Sequence, residues 1–435
     1  MRNRVNIPKV DESQNSSQAG MDFSNDQVVL NSESLEMRLE KLRQTYKNGK
    51  TRSSVWRKTQ LKALLKLLRE NEEDIYKALY DDLGKPRVET YRDEGRIPLL
   101  FFPASGEVVP EPLGLVLIFS SWNFPLDLAL EPVIGAISAG NTMVLKPSEL
   151  APSCSSFLAN TIPRYLDNDA IKVIEGGPDV GAQLLEHKWD KIFFTGNPRV
   201  GRIVMTAAAK HLTPVTLELG GKCPAIVDSH LSSSNLKTLC ILVVNKRHFE
   251  RLTNLLRDPG VLDSIVHGGS LDEAKLLIEP TILLDPPLEA EIVTEEIFGP
   301  LLPVITVKSI DESIEFINQR PKPLALYAFT NDENLKKRVV SQTSSGSVTF
   351  NDVIVHLVCD ELPFGGVGQS GFGKYHGKYS FDTFSHGKGV LRRSFLIEIG
   401  PRFPPWNDFK LAFVKLCYEF DYFGLLLLML GLKRY

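Results

Sequence analysis

A glutamate that follows a short β-forming run is the side chain best placed for chemistry in this sequence. In Pro214-Val-Thr-Leu-Glu-Leu-Gly-Gly-Lys222, apolar and β-branched residues lead directly into Glu218, and two glycines end the strand at once. Open α/β sheets bind their ligands at this carboxyl edge. Loss of water there raises the pKa of a carboxylate toward the range of a general base. The alternative is a strand-end glutamate that faces solvent.

Polar residues also follow the neighbouring predicted strands. Asn123, in Ser121-Trp-Asn-Phe-Pro125, can donate its amide hydrogens to a developing oxyanion, or it can cap a turn. Lys146 and Glu149 follow the next strand, where they can hydrogen-bond the hydroxyls of a ribose or lie in a solvated loop. Taken one at a time, these residues do not identify a ligand.

Two glycines, Gly196 and Gly201, bracket a strand-to-helix junction in Phe193-Phe-Thr-Gly-Asn-Pro-Arg-Val-Gly201. The start of a helix offers free N–H groups to a phosphate. The segment is not the usual G-x-G-x-x-G fingerprint, and glycine-bounded helix starts without ligands are common. On its own, this junction therefore favours a structural role.

The elements that must position these residues alternate between strand and helix. Strands are predicted at 115–119, 142–146, 171–174, 191–194 and 215–218, with helices at 128–139, 155–165, 180–187 and 198–210. This alternation is typical of a doubly wound parallel sheet. A weaker alternation after Cys223 predicts a second, shorter α/β domain, and residues 33–80 predict two helices whose leucines pack inward.

Charge and cysteine usage exclude several classes of protein. The 435 residues carry a formal net charge of -3, spread along the chain, so we expect no nucleic-acid partner. Five scattered cysteines argue against a disulfide framework and favour a reducing compartment such as the cytoplasm. None is paired with another at metal-ligand spacing, so we expect no metal site.

The C-terminal tail is strongly apolar. It contains Leu425-Leu-Leu-Leu-Met-Leu430, with Lys433 and Arg434 behind it. This run is too short to cross a bilayer. A terminal helix docked on the protein is the favoured interpretation, and contact with a membrane surface is the alternative.

Two loops, Glu295-Glu-Ile-Phe-Gly-Pro300 and Leu362-Pro-Phe-Gly-Gly-Val-Gly-Gln-Ser-Gly371, complete a recognisable set of motifs. Together with the segments above, they resemble the aldehyde dehydrogenase superfamily, and specifically its class 3 branch in the plant-like form. The resemblance runs over about residues 30–433. It implies an α/β fold with a doubly wound dinucleotide-binding domain, a second α/β catalytic domain and an oligomerisation arm.

The resemblance assigns roles to the polar residues. Glu218 resembles the general base that activates the deacylating water, and Asn123 resembles the residue that stabilises the oxyanion of the thiohemiacetal. Lys146 and Glu149 resemble the adenosine-ribose contacts, and the turn from Gly196 to Gly201 resembles the one beneath the pyrophosphate.

The remaining loops resemble the rest of the site. Glu296 resembles the nicotinamide-ribose ligand, with Phe298 beside it, and Phe364 resembles part of the segment that closes the active site. The implied reaction oxidises a small-molecule aldehyde to a carboxylic acid with NAD or NADP. NAD is the first choice because Glu149 would repel a 2′-phosphate, and a homodimer is expected from the family.

The resemblance also predicts the domain organisation. We expect a disordered extension over residues 1–32, shortened N-terminal helices over 33–104 and a dinucleotide-binding domain over 105–225. A truncated catalytic domain over 226–370 and a C-terminal arm with an apolar tail helix over 371–435 follow.

The nucleophile that this chemistry requires is missing. The family's thiolate attacks the aldehyde from a Gly-Gln-x-Cys segment, and this sequence has no such segment. Sequence that lies well downstream of the nucleophile in the family follows soon after Asp228 here, which predicts an internal deletion. A second gap is predicted at Glu94/Gly95. Cys240 lies closest to the main break and is the weak candidate for a substitute nucleophile, while Cys223 follows the Gly-Gly-Lys turn.

Two functional hypotheses follow. The first is an aldehyde dehydrogenase by descent whose catalysis is impaired. The second is a non-catalytic nucleotide-binding or dimer-partner subunit. The deletion also predicts a poorly soluble or partly open second domain, because each lost core side chain forfeits about 1.5–3 kcal/mol of burial.

Overall fold

The computed structural model describes residues 35–94, 104–229, 245–395 and 398–432. The predicted extension over residues 1–32, the gap at Gly95 and Cys240 lie outside these residues. The chain divides into two compact units, one made of residues 1–96 and 403–435 and the other of residues 97–402.

The helices and strands are numbered in chain order. The helices are α1 (Leu35–Lys47), α2 (Ser54–Glu70), α3 (Glu72–Leu83), α4 (Arg87–Glu94), α5 (Asp127–Ser138), α6 (Pro152–Tyr165), α7 (Pro178–Glu186), α8 (Pro198–Ala209), α9 (Lys246–Arg257), α10 (Pro259–Leu262), α11 (Glu291–Thr294), α12 (Ile310–Asn318), α13 (Glu333–Gln342), α14 (Gly377–Thr383), α15 (Asp408–Tyr418) and α16 (Tyr422–Met429). The strands are β1 (Ala104–Pro112), β2 (Leu115–Phe119), β3 (Thr142–Lys146), β4 (Ile171–Val173), β5 (Lys191–Gly196), β6 (Val215–Leu219), β7 (Ala225–Val227), β8 (Ile265–His267), β9 (Leu271–Asp272), β10 (Leu277–Ile278), β11 (Thr281–Leu284), β12 (Leu301–Val304), β13 (Ala325–Phe329), β14 (Ser347–Phe350), β15 (Gly371–Phe372) and β16 (Ser385–Arg393).

The smaller unit is helical and is held together around Tyr76. The Tyr76 hydroxyl donates to Glu72 Oε1 at 2.9 Å, and Lys415 Nζ of α15 donates to the same carboxylate. The Arg87 guanidinium and the Lys415 ammonium lie 5.2 Å and 6.0 Å from the Tyr76 ring centroid, respectively. Because a cation over an aromatic face is attracted to it, the ring links α3 to α4 and α15.

The sequence prediction for residues 33–80 was wrong in two respects. Three helices occupy that range, because the chain is broken at Asn71, whose φ of −116° and ψ of 27° lie outside the helical region. The leucines of α2 also do not pack inward. Leu61, Leu64 and Leu68 are exposed, and no residue of α2 is buried.

A six-stranded sheet forms the centre of the larger unit. Its strand order is β15-β6-β5-β2-β3-β4, with all pairs parallel except β15 against β6. Alternate residues of β2 enter two separate cores: Val116 packs in the core that contains α5 and α6, and Leu117 packs in the core that contains α7 and α8. Helices therefore cover both faces, and the predicted doubly wound sheet is confirmed.

In the described residues, the chain after β6 forms two three-stranded sheets and a two-stranded hairpin of β9 and β10. One has the order β12-β11-β8 and the other β14-β13-β7, and each has its own hydrophobic core. The sequence predicts strands in this half at 280–284, 302–306, 326–329 and 347–350, and these overlap β11, β12, β13 and β14, respectively. The predicted weakness of this half stays a prediction.

A two-stranded antiparallel ribbon pairs β1 with β16, from Ala104↔Arg393 to Pro112↔Ser385. Cross-strand ion pairs join Glu107 to Arg392 and Glu111 to Lys388. Most of the ribbon's residues are exposed, including Val108 and Leu391. The sequence prediction did not include β1, whose glycine, prolines and glutamates give no strand pattern.

Candidate active site

Glu218 lies at the carboxyl end of β6 and is nearly completely buried, at 3% exposure. It is paired in register with Thr195 of β5 on one side and with Gly371 of β15 on the other. Within the described residues, neither carboxylate oxygen has a hydrogen-bond partner. Loss of solvation therefore raises the pKa of Glu218 well above its ordinary value of 4.5.

Two side-chain hydroxyl groups lie at the same edge of the sheet as Glu218. Thr195 Oγ1 ends β5 and Ser120 Oγ directly follows β2, and both are buried without a partner in the described residues. Strands β2, β5 and β6 are adjacent and parallel, so the three side chains lie along one edge of the sheet. Buried polar groups are normally hydrogen-bonded. Orphaned atoms on three neighbouring strands therefore indicate a ligand position, which the sequence reasoning found only at Glu218.

Glycines hold the loops close to this edge. A Cβ on Gly220 would collide with the Glu296 carboxylate, and one on Gly371 would collide with the Leu217 carbonyl. Gly371 also has a φ of 115°, which only glycine adopts readily. The residues after β6 can thus bring Glu296 against the strand end.

Glu296 is positioned mainly through its backbone. Arg251 Nη1 donates to the Glu296 carbonyl at 3.1 Å and Nη2 donates to the Ile297 carbonyl. The carboxylate accepts from the Gly221 N–H, but burial outweighs this bond and raises the pKa of Glu296. Lys222 Nζ donates to the carbonyls of Ile292 and Glu295, and burial lowers its pKa to about 8.

An aromatic cluster, formed by Trp122, His248 and Phe298, lies beside Glu296. Ring centroids are 5.1 Å apart for Trp122 and Phe298, and 5.9 Å apart for Trp122 and His248. His248 Nε2 donates to the Phe298 carbonyl at 2.6 Å, and its Nδ1 accepts from Arg251 Nε at 3.4 Å. Phe298 has a positive φ of 54°, a strained backbone conformation for a bulky residue. The sequence singled out Phe298 but neither Trp122 nor His248 for this site, because no local pattern links them.

Asn123 follows β2 in the same loop as Trp122. Ser121 Oγ donates to Asn123 Oδ1 at 2.6 Å. This bond fixes the orientation of the amide, and Nδ2 makes no hydrogen bond within the described residues. The side chain is therefore arranged as a donor, which an oxyanion requires.

Lys146 and Glu149 form an ion pair at the end of β3, with Nζ and Oε2 2.5 Å apart. Lys146 is buried, whereas the Glu149 side chain is 38% exposed. The carboxylate therefore faces solvent at the rim of the sheet, while the ammonium anchors it. This geometry suits a carboxylate that accepts from ligand hydroxyls.

Gly196 and Gly201 lie on either side of the start of α8. Asn197 caps the helix by accepting from the Val200 N–H at 3.0 Å, and Pro198 occupies the first turn. A Cβ on Gly201 would lie 3.0 Å from Leu219 Cδ2. Gly201 therefore lets α8 pack against β6, and the uncovered N–H groups of α8 remain at the sheet edge.

Phe364 lies in a stack of rings behind Glu218. The His356 and His376 ring centroids are 5.5 Å and 5.2 Å from that of Phe364. Phe364 and Tyr375 exchange backbone hydrogen bonds of 3.0 Å and 2.8 Å. Tyr375 is buried, and desolvation together with the nearby Glu218 raises its pKa. These groups form one wall of the site.

Neither Cys223 nor Cys417 has the environment of a replacement nucleophile. The thiol of Cys223 accepts from the Ala325 N–H at 3.4 Å, and burial and Glu296 raise its pKa. Cys417 is buried in the smaller unit, with a pKa raised to about 11. Raised pKa values keep a thiol protonated and unreactive. Cys240 lies outside the described residues.

The described residues contain no cluster of His, Cys, Asp and Glu side chains that could hold a metal ion.

Comparison with known proteins identifies the family to which this fold and these site residues belong. The sequence profile of the aldehyde dehydrogenase family matches residues 103–238 and 242–390. The chain belongs to the aldehyde dehydrogenase family. Its relatives include aldehyde dehydrogenase family 3 member F1 of Arabidopsis thaliana, 52% identical over 92% of this chain and 99% of the relative. An aldehyde dehydrogenase of Craterostigma plantagineum is 43% identical over 90% of this chain and 97% of the relative.

Solved structures of aldehyde dehydrogenases agree with this assignment. The substrate-bound AldH of Staphylococcus aureus superposes with a TM-score of 0.68 at 36% identity, over 88% of this chain and 99% of that one. An NAD+ complex of an aldehyde dehydrogenase from Bacillus cereus superposes with a TM-score of 0.62 at 25% identity, over 70% of this chain and 74% of that one. The resemblance to class 3 and the α/β fold are therefore confirmed.

Proposed function

We propose that this chain is an aldehyde dehydrogenase by descent that binds a nicotinamide dinucleotide but is impaired in aldehyde oxidation. The observation that carries the proposal is Glu218. Glu218, the proposed general base, is buried and has no hydrogen-bond partner among the described residues, in a sequence that has no Gly-Gln-x-Cys nucleophile. A base that activates water for thioester hydrolysis has no intermediate to hydrolyse when no thioester forms.

Two features of the comparisons support a deletion. The family profile matches in two segments, and the break at residues 239–241 falls within the predicted deletion. The alignment with the Arabidopsis family 3 member F1 is 479 positions long. It includes only 92% of this chain, which has 435 residues in total. The alignment therefore contains many positions of the relative that have no counterpart here.

The retained residues fit a nicotinamide dinucleotide. The α8 N-terminus offers N–H groups to a pyrophosphate, and the Lys146–Glu149 pair offers a carboxylate to the adenosine ribose. Glu296 is held beside the aromatic cluster, where it would accept from the second ribose. The bound nucleotide would supply a hydride acceptor, whereas Asn123 would orient a carbonyl oxygen and Glu218 would hold a proton.

Binding and chemistry are separable in solution. We expect isothermal titration calorimetry of the purified chain to show one nucleotide site. An absorbance assay with a medium-chain aldehyde should show little reduction of NAD. Absence of nucleotide binding would contradict the proposal, and so would oxidation of the aldehyde at a rate typical of the family.

Glu149→Gln tests the choice of NAD over NADP. Removing the charge should strengthen NADP binding by roughly fivefold to tenfold, because a partly solvated charge repulsion of about 1 kcal/mol is removed. NAD binding should weaken, because a ribose contact is lost. Calorimetry with both nucleotides measures this, and Glu186→Gln, an exposed glutamate at the end of α7, is the matched control. Unchanged NADP affinity would contradict a role for the Glu149 charge.

We also propose that the β1–β16 ribbon forms a homodimer, as a second function that does not require catalysis. An isolated two-stranded ribbon is marginally stable in water. One face of this ribbon is small and apolar, with Gly106, Val108, Gly389 and Leu391 exposed on it. Pairing with a second copy would cover that face and its open strand edges.

Val108→Lys tests this surface. The charge should convert a dimer into a monomer in size-exclusion chromatography with light scattering, because it would be buried without a partner. Nucleotide binding should remain. Val340→Lys, at an exposed valine of α13, is the control that should leave the dimer intact. A parent chain that is already monomeric would contradict the dimer.

The absence of any paired cysteines in the described residues supports a reducing compartment, and we propose the cytoplasm. One relative is the chloroplastic family 3 member I1 of Arabidopsis thaliana, 42% identical over 91% of this chain. Microscopy of a fluorescent fusion that keeps residues 1–32 intact would distinguish the two locations, and accumulation in plastids would contradict the proposal.

A further inference from the structure

The loop that contains Glu296 is held by basic side chains through its backbone carbonyls. The four successive residues 295–298, named here the carbonyl loop, each accept a hydrogen bond from such a side chain. The bonds run from Lys222 Nζ to the Glu295 carbonyl at 3.2 Å, from Arg251 Nη1 to the Glu296 carbonyl at 3.1 Å, from Arg251 Nη2 to the Ile297 carbonyl, and from His248 Nε2 to the Phe298 carbonyl at 2.6 Å. Hydrogen bonds from an ammonium or a guanidinium are stronger than those between neutral groups. The carbonyl loop is therefore fixed by side chains that lie outside it.

Two of these three donors come from the start of α9. His248 and Arg251 are three residues apart, so they lie on the same face of the helix. Arg251 Nε donates to His248 Nδ1 at 3.4 Å. An imidazole that accepts at Nδ1 has its proton on Nε2, where the Phe298 carbonyl accepts it. The Asn245 side chain caps the helix by accepting from the His248 N–H at 2.9 Å, so both donors have one rigid support.

Close packing fits the carbonyl loop to α9. Leu252 of this helix is fully buried, and a Cβ on Gly299 would lie 2.4 Å from Leu252 Cδ1. Phe298 has a φ of 54°, a conformation that persists only where the surrounding contacts hold it. On the other side of the loop, the Glu296 carboxylate accepts from the Gly221 N–H. The strained backbone on which Glu296 lies therefore requires its contacts with α9.

The donors of α9 lie beyond the predicted deletion. The second segment that matches the family profile begins at residue 242, so α9 belongs to the retained sequence. A chain without these donors would keep the residues proposed for the adenosine half of the nucleotide, at β3 and α8, but would have no fixed loop for the second ribose. The presence of α9 therefore favours a complete dinucleotide site over a half site.

We propose that His248 and Arg251 are positioning residues for the nicotinamide half of the nucleotide. They hold the carbonyl loop in the shape in which Glu296 accepts from the second ribose, and they have no part in binding the adenosine half. The inference rests on the proposed function, because it concerns the same dinucleotide. It assigns the two halves of that ligand to separate elements of the chain.

Isothermal titration calorimetry of the full chain with NAD and with ADP tests the proposal. ADP has the adenosine and the phosphates but lacks the second ribose. Arg251→Ala should weaken NAD binding roughly tenfold, because two carbonyls lose their charged donor. His248→Phe keeps a ring beside Trp122 but cannot donate to the Phe298 carbonyl, and it should weaken NAD binding about fivefold. Both variants should bind ADP as the parent does.

Two further variants separate hydrogen bonding from charge and from general effects on the helix. Arg251→Lys keeps the charge but lacks the planar fork of a guanidinium, so it should recover only part of the NAD affinity that Arg251→Ala loses. Arg247→Ala, at an exposed arginine of the same helix, is the matched control and should bind both nucleotides as the parent does. Circular dichroism checks that each variant is folded.

The inference and the proposed function fail in different ways. A parent chain that binds neither NAD nor ADP contradicts the proposed function, and the inference with it. A parent that binds ADP but not NAD has a half site only, which overturns the inference. So does an Arg251→Ala or His248→Phe variant that binds NAD as tightly as the parent, or that loses NAD and ADP affinity equally. Full recovery in Arg251→Lys overturns the role of the guanidinium fork and leaves charge alone as the cause.

Discussion

Purified protein supplied with NAD and a medium-chain aldehyde should reduce NAD at least about a thousandfold more slowly than the Arabidopsis family 3 member F1 assayed alongside. The reason is the missing thiolate. Without it no thiohemiacetal forms, and only substrate binding and the oxyanion stabilisation proposed for Asn123 remain. The measurement is the absorbance of the reduced nicotinamide at matched protein concentrations.

A substitution of the proposed general base makes this expectation specific. Glu218→Gln should leave the residual rate unchanged, because residues that act as one catalytic unit lose little more once the first is gone. A family-like rate would refute the expectation. So would a covalent acyl adduct on a thiol, found by mass spectrometry of the quenched reaction. An adduct on Cys240 that disappears in Cys240→Ser would identify a substitute nucleophile.

The Glu218→Gln variant should also be more stable than the parent at neutral pH, on the order of 1–3 kcal/mol, because the amide needs neither the proton nor the buried charge that the folded state imposes on Glu218. The folded state raises the pKa of Glu218 above 4.5, so unfolding releases a proton. The parent's stability is therefore highest, as far as Glu218 contributes, below pH 4.5. It falls as the pH rises from there toward the raised pKa.

Urea unfolding of parent and variant across this pH range measures the effect. Other groups also titrate: burial lowers the pKa values of His356 and His376, which costs stability as the pH falls. Subtracting the two curves removes these shared contributions and leaves that of Glu218. The same substitution at the exposed Glu186 should give parallel curves. A difference between parent and Glu218→Gln that does not change with pH would contradict the prediction.

The sheet could be predicted because its signals are local. Continuous apolar runs such as Leu115–Phe119 and Thr142–Lys146 are buried on both faces, and they end at glycines or polar residues that mark the edge. Glu218 was found in the same way, from the strand that precedes it and the glycines that follow it. Its role, however, depended on the resemblance and not on the strand pattern.

The parts that could not be predicted depend on distant contacts. Strand β1 gains its partner from β16, far along the chain, and its own residues show no β pattern. His248 meets Trp122 only because Arg251 and the Phe298 carbonyl hold the loop after α11 in place. The break at Asn71 is set by one backbone conformation in a stretch of strong helix formers. Sequence patterns contain none of these long-range or single-residue effects.

The contact between Trp122 and its two aromatic neighbours has a practical consequence. The indole lies 5.1 Å from the Phe298 ring, in the same cluster as the loop that carries Glu296, the proposed nicotinamide-ribose ligand, and 5.9 Å from the His248 imidazole. Indole emission responds to such surroundings, so the protein contains its own fluorescent reporter. Nucleotide binding at the proposed site is therefore expected to change the fluorescence of Trp122, a signal that does not depend on turnover.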